Sequence, residues 1–192
     1  MTSHNPKAVV IGASAGALDA LTNVLKDLPS DFALPILVVT HLPPDRNSIL
    51  AELIAAHCKI PVTEAEDKEP IERGHVYFAP PDYHLLVETD GRLSLSNEEP
   101  VHFSRPSVDV LFESAADAYG EGLIGIILTG ANEDGARGLR AIATAGGAAL
   151  VQNPEGAYAK EMPLAALRAC PQARSLSLNE LSHCLSQLGR RA

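Results

Sequence analysis

The amino-acid sequence predicts an α/β protein with a doubly wound, three-layer α/β/α fold, whose mostly parallel sheet is accompanied by one antiparallel β-hairpin. Three observations lead to this fold class. Short apolar segments, typical of strands buried on both faces, alternate along the chain with segments of helical periodicity. Asp90-Gly91 lies between two short strand-like segments and signals the hairpin. The length of 192 residues fits a single domain, residues 1–192.

The first part of the chain predicts two strands, each followed by a helix. Ala8–Ile11 is a short β-branched strand that ends at a glycine, and Pro35–Thr40 is a second buried strand. Ala17–Leu28 carries leucine and valine at helical spacing and stops at a proline. A second helix runs from Arg46 to about His57, with isoleucine and leucine on its inner face.

The middle of the chain predicts a third strand, the hairpin and a helix. The third strand is His75–Ala79, and the hairpin strands are His84–Glu88 and Arg92–Ser96. Ser107–Tyr119 has valine, leucine, phenylalanine and alanine at helical spacing and is expected to pack one face on the sheet.

The last part of the chain continues the alternation. It predicts strands at Leu123–Thr129 and Ala148–Gln152, and a helix at Asp134–Ala145 that ends at two glycines. Two more helices are expected near Met162–Ala169 and Asn179–Leu188.

Composition excludes several classes of function. The formal net charge is −9 and there is no tryptophan, which argues against a basic, base-stacking nucleic-acid surface. The three cysteines form no C-x-x-C pair, and the histidines lack metal-ligand spacing, so we expect neither a metal nor a cofactor. The cysteine pattern fits a reducing, cytoplasmic compartment, and no apolar run is long enough to span a membrane.

The first strand is followed by Gly12-Ala-Ser14-Ala-Gly16, a G-x-S-x-G pattern in a strand–turn–helix context. Three interpretations compete: a small-residue packing turn, a dinucleotide-binding glycine loop, and a turn that presents a nucleophilic serine. The next strand ends in Thr40-His41, with no acid to bind a ribose, so the dinucleotide interpretation is disfavoured.

A histidine at the end of the neighbouring strand favours the nucleophile interpretation. His41 alone is more often a structural hydrogen-bonding residue. Beside Ser14, however, a neutral imidazole can accept the serine proton and return it to a leaving group.

The segment from Thr129 to Ala136 offers a third group. Asp134 is a candidate to orient the imidazole of His41, and the alternative is that Asn132 or Asp134 merely caps the next helix. Glycines in this segment free backbone N–H groups that can form an oxyanion hole. The chain order Ser, His, Asp differs from the Ser, Asp, His order of α/β-hydrolases.

Five blocks in register carry a resemblance to a known family. The sequence resembles the catalytic domain of the chemotaxis protein-glutamate methylesterase (CheB) family, and the likeness runs from about residue 7 to the last helix. The blocks are Ile11–Gly16, Thr40–Pro44, Arg105–Phe112, Leu128–Gly130 with Asp134–Ala136, and Met162-Pro163.

The resemblance implies a serine hydrolase that demethylates glutamyl γ-methyl esters on the cytoplasmic helices of chemoreceptors, releases methanol, and also deamidates receptor glutamines. It implies a triad of Ser14, His41 and Asp134, with backbone N–H groups near Ala15 and Ala131 as the oxyanion site. The family typically carries an N-terminal receiver domain. With the first strand at Ala8 we expect a catalytic domain alone, whose control comes from a separate partner, from expression, or not at all.

Some residues depart from the family pattern. Ala15 replaces the usual threonine, Ala131-Asn132 replaces Met-Gly, and Glu161 replaces a glycine. These departures leave two alternatives: a non-catalytic binding or scaffold module, and an esterase for another methyl ester. Because receptor methylation helices are acidic, we also expect a basic rim around the site. The candidates for this rim are Arg46, Arg105 and Arg137.

Overall fold

The computed structural model describes residues 5–41 and 49–188. Strands and helices alternate through most of the chain, as the sequence predicts. The strands are β1 Ala8–Ala13, β2 Ile36–Thr40, β3 Val62–Glu64, β4 Val76–Phe78, β5 His84–Val87, β6 Leu93–Ser96, β7 Leu123–Ile127, β8 Ala148–Gln152 and β9 Arg174–Leu176. The α-helices are α1 Ala17–Leu25, α2 Leu50–Ala55, α3 Val108–Tyr119, α4 Ala136–Thr144, α5 Glu161–Ala169 and α6 Leu178–Leu188, with short 3-10 turns at Gly120–Gly122 and Pro154–Gly156.

The main sheet is parallel throughout and has seven strands in the order β3-β4-β2-β1-β7-β8-β9. After β1 the chain builds outward on one side through β2 and β4, and it then returns to the other side of β1 with β7. Strands β5 and β6 form the predicted antiparallel hairpin apart from this sheet. The predicted fold class is therefore confirmed, and the strand order reverses beside β1, where open α/β sheets form their sites.

Helices cover both faces of the sheet because successive strand residues point to opposite sides. In β1, Val9 and Ile11 belong to a core shared with α1, α2 and α6. The alternate residues Ala8 and Val10 belong to a second core shared with α3, α4, α5 and the hairpin. Within residues 5–41 and 49–188, no helix combines the length and apolar character needed to cross a membrane.

The two edge strands were not predicted. β3 and β9 have three residues each and their side chains are largely accessible, so neither carries an apolar run that marks a buried strand. Helix α1 ends at Leu25, earlier than the periodicity suggests. The predicted helix start at Arg46 lies outside the described residues, and the helix that is described begins at Leu50.

Strand β7 is shorter than its apolar pattern suggests, and helix α4 begins later. The N–H of Thr129 donates to the side-chain Oε1 of Gln152 at 2.8 Å, so it does not take part in the backbone hydrogen bonding between strands. The N-cap residue of α4 is Gly135, with no side-chain cap, so the alternative that Asn132 or Asp134 caps this helix is wrong. Residues 128–135 are therefore a loop at the carboxyl edge of the sheet.

Gly12 allows the start of α3 to lie directly against the end of β1. A Cβ atom at this position would overlap Val108 Cγ1 and lie 3.0 Å from Cγ2 of the same side chain. Val108 is the first residue of α3. The missing side chain of Gly12 therefore sets how closely the N-terminus of α3 approaches the carboxyl edge.

We expect Gly12→Ala to destabilise the protein by about 1–3 kcal/mol, because the added methyl overpacks a tight contact. The thermal midpoint should fall by roughly 2–4 °C for each kcal/mol. Val108→Ala removes the clashing methyl groups, so the double variant should lose less stability than the sum of the two single losses.

The matched control is Gly156→Ala, because a Cβ at Gly156 meets nothing within 4 Å. Thermal unfolding of the variants measures the effect. Equal midpoints for the Gly12 and Gly156 variants would contradict the close-approach argument.

Candidate active site

Ser14 and His41 follow neighbouring parallel strands at the same level. β1 pairs with β2 so that Ala13 is opposite Thr40, and the next residue of each strand is Ser14 and His41 respectively. Adjacent strands lie about 4.8 Å apart, so the two side chains start side by side. Asp134 lies in the loop after β7, on the other side of β1.

The turn that carries Ser14 is held by its own backbone. The N–H of Ser14 donates to Thr129 O at 2.9 Å, and its carbonyl accepts from the N–H of Ala17 at 2.9 Å. Gly16 adopts a left-handed conformation with φ of 84°, and a Cβ there would lie 2.8 Å from Tyr158 Cβ. The conformation and the tight contact both favour glycine at this position.

The buried carboxylate of Asp134 lies on the N-terminus of α3. Its Oδ2 accepts from the N–H of Val108 at 2.7 Å, and its Oδ1 accepts from the N–H of Asp109 at 3.0 Å. Oδ1 also accepts from Ser107 Oγ at 2.8 Å, and Oδ2 from His41 Nε2 at 2.8 Å. Four donors therefore surround a carboxylate with no solvent exposure.

Two opposing effects act on Asp134. Burial raises its pKa, but the hydrogen bonds from His41, Asp109 and Val108 lower it by more, and the pKa lies below its ordinary value. The positive end of the α3 dipole acts in the same direction. Asp134 is therefore a carboxylate at neutral pH and can accept a hydrogen bond from a protonated ring nitrogen of His41.

The imidazole of His41 lies between Asp134 and Asn132. His41 Nε2 faces Asp134, while Asn132 Nδ2 is 3.1 Å from His41 Nδ1. The side chain of His41 is 14% exposed, so the imidazole is not fully enclosed. Within the described residues, no hydrogen bond joins Ser14 Oγ to His41.

The backbone around Ser14 offers free donors. In the described part of the chain, the N–H groups of Ala15 and Ala131 have no hydrogen-bond acceptor. Thr129 connects their two loops, because its Oγ1 donates to Ala15 O at 2.8 Å. The predicted oxyanion role of Ala15 and Ala131 stays a prediction, which these unpaired N–H groups support.

Comparison with known proteins identifies the family of this chain. The family model described as CheB methylesterase matches residues 9–185. The chain belongs to the CheB methylesterase family. The crystal structure of the Thermotoga maritima CheB methylesterase catalytic domain matches it with a TM-score of 0.90 at 32% identity, covering 96% of this chain and 100% of that one.

Two curated relatives differ in how much of their own length this chain covers. A Leptospira interrogans protein, with the provisional name protein-glutamate methylesterase/protein-glutamine glutaminase, is 45% identical over 96% of this chain and 95% of its own length. The protein-glutamate methylesterase/protein-glutamine glutaminase of Trichodesmium erythraeum is 37% identical over 91% of this chain, which spans 50% of that relative.

Three supporting residues of this CheB family member were not assigned a role in the site from the sequence. Ser107 is the N-cap residue of α3 but makes no side-chain cap, and its hydroxyl donates to Asp134 Oδ1. Gln152 orders the loop after β7 through Thr129, and Asn132 contacts His41. Gln152 carried a usable signal, because it is a buried polar residue at the end of an apolar strand.

Two of the three arginines predicted to form a basic rim, Arg105 and Arg137, lie within the described residues. The guanidinium of Arg105 donates to Asp82 Oδ1 at 2.7 and 3.0 Å and to the carbonyls of Asn97 and Glu98. Arg137 Nε lies 2.6 Å from Glu113 Oε1. Arg46 lies outside the described residues. The role of these arginines in substrate binding stays a prediction, although the two that are described already have acidic partners.

His84 lies beside the site and contacts the backbone of its surroundings. His84 is buried, accepts the N–H of Ser107 at Nδ1 at 3.1 Å, and faces Glu99 O with Nε2 at 3.2 Å. Within the described ranges, no group of three or more His, Cys, Asp or Glu side chains could hold a metal ion.

We expect Asp134→Asn to lower the free energy of unfolding by about 2–3 kcal/mol at neutral pH, because hydrogen bonds to a charged group are among the stronger ones. The folded-state pKa of Asp134 is lowered, so ionised Asp134 stabilises the folded protein. This stabilisation is fully present above the unfolded-state pKa and is lost as the pH falls through the folded-state pKa. The difference in the free energy of unfolding between wild type and Asp134→Asn should therefore become smaller in strong acid.

Urea unfolding at neutral and at acidic pH measures this gap. Asp82→Asn is the control, because that carboxylate is 55% exposed. A gap for Asp134→Asn that stays constant from neutral to strongly acidic pH would contradict the charge-based account.

Proposed function

We propose that this chain is a serine hydrolase that demethylates glutamyl γ-methyl esters on chemoreceptor helices and releases methanol. The observation that carries the proposal is the hydrogen-bonded pair of His41 and Asp134 at the strand end beside Ser14. Membership of the CheB methylesterase family and the names of the relatives support the substrate class.

Acylation begins at Ser14. Its oxygen bonds to the ester carbonyl carbon, its proton passes to His41 Nδ1, and the carbonyl electron pair moves onto oxygen. The N–H groups of Ala15 and Ala131 stabilise this oxyanion, and Asp134 stabilises the imidazolium through Nε2. When the intermediate collapses, the bond to the methoxy oxygen breaks, the proton on Nδ1 passes to that oxygen, and methanol leaves.

Water then repeats the sequence on the acyl-enzyme. His41 Nδ1 takes a proton from water as its oxygen attacks the acyl carbon, and returns it to Ser14 Oγ as that bond breaks. The products are a free glutamate side chain and the regenerated enzyme. A glutamine side chain enters the same route with ammonia as the leaving group, in line with the second activity in the relatives' names.

Ser14→Ala removes the nucleophile while leaving the backbone contacts of the turn in place. We expect methanol release from methylated receptor to fall by at least about 10³-fold, with receptor binding and thermal midpoint unchanged, because the triad acts as a unit. Methanol is measured with radiolabelled methyl groups on the receptor.

Ser30→Ala is the matched control, because Ser30 is exposed in the turn after α1. It should release methanol like wild type. Release by Ser14→Ala at the wild-type rate would exclude the proposed mechanism.

Two further assays separate the proposal from its alternatives. A fluorophosphonate probe labels Ser14 only if the serine is activated, so absence of labelling would favour a non-catalytic binding module. Labelling of Ser14 without turnover of methylated receptor would favour an esterase for another methyl ester.

A further inference from the structure

The orientation of the Asn132 side-chain amide is determined by its second contact. Asn132 Oδ1 accepts the backbone N–H of Asp134 at 3.2 Å, which closes an Asx turn. The amide oxygen is therefore committed to the backbone. The group that faces His41 Nδ1 at 3.1 Å is the NH₂ donor.

This contact determines the protonation state of the imidazole. Because Asn132 Nδ2 can only donate, His41 Nδ1 must be the unprotonated nitrogen. Because Asp134 is a carboxylate, His41 Nε2 carries the proton and donates it at 2.8 Å. The two neighbours of the ring therefore select the same neutral tautomer.

The lone pair that Asn132 occupies is the one that catalysis requires. An unprotonated ring nitrogen accepts one strong hydrogen bond in the ring plane, and Nδ1 is the only nitrogen of His41 not used by Asp134. Ser14 Oγ makes no hydrogen bond to His41 within the described residues, and thus does not hold that lone pair.

We propose that Asn132 is a positioning residue that caps the catalytic base: its amide N–H occupies the Nδ1 lone pair of His41 and must leave before Ser14 can transfer its proton. The inference rests on the proposed hydrolase function. The cap lowers the reactivity of Ser14 at rest, and the amide, which is half-buried in the loop after β7, moves away when substrate enters.

Two substitutions separate the cap from a loop-stabilising role, because both keep an acceptor for the Asp134 N–H. Asn132→Ser retains a short oxygen for the turn but is too short to reach His41. Asn132→Asp retains the turn and places a carboxylate against Nδ1, where it holds a proton on that nitrogen.

The measurement is the second-order rate constant for fluorophosphonate labelling of Ser14 at neutral pH. We expect Asn132→Ser to react roughly 2- to 12-fold faster than wild type, the factor that corresponds to the net strength of one hydrogen bond. Asn132→Asp should react at least about tenfold slower, because its base is already protonated. With methylated receptor, kcat should change in the same directions while KM stays within about twofold.

Asn153→Ala is the control, since Asn153 Oδ1 accepts the N–H of Glu155 at 2.9 Å in a similar turn but makes no contact with His41. It should label at the wild-type rate. Slower labelling of Asn132→Ser, or wild-type labelling of both Asn132 variants, would overturn the cap. If wild type itself is not labelled at Ser14, the proposed hydrolase function fails first, and the cap fails with it.

Discussion

The site depends on one interaction, the placement of the Asp134 carboxylate on the N-terminus of α3. Backbone N–H groups of Val108 and Asp109 compensate the charge of a fully buried group, and its remaining acceptor capacity is directed to Ser107 and His41. Removal of any one donor would leave the carboxylate undercompensated in a low-dielectric environment. The orientation of His41 therefore depends on where the first turn of α3 lies, and thus on packing well away from the serine.

The topology of the sheet makes this possible. Ser14 and His41 come from adjacent strands, and the loop after β7 approaches from the other side of β1. Helix α3 can reach the same point only because Gly12 leaves room for Val108. Thr129 then joins the serine turn to the loop after β7 through Ser14 N–H and Ala15 O. The position of each catalytic candidate is thereby set by backbone geometry rather than by flexible side chains.

Much of the fold and part of the site could be predicted from the sequence, for identifiable reasons. Continuous apolar runs mark central strands, so polar residues directly after them, such as Ser14 and His41, could be placed at one edge. The three-residue edge strands carry no such run and were missed. The contact between Asp134 and α3 depends on tertiary packing between distant segments. Asn132 had a simpler local explanation as a helix cap, and only the geometry shows that its amide faces His41.

The central claim is that Asp134 and Asn132 select one tautomer of His41, with the proton on Nε2 and an unprotonated Nδ1 that accepts the Asn132 amide at rest. Nitrogen-15 NMR of the imidazole at neutral pH tests this most directly, with the His41→Gln spectrum used to assign the signal among the 7 histidines. The account predicts the chemical shift of a protonated nitrogen at Nε2 and of an unprotonated nitrogen at Nδ1. A protonated Nδ1, whether in the other tautomer or in an imidazolium, would contradict it.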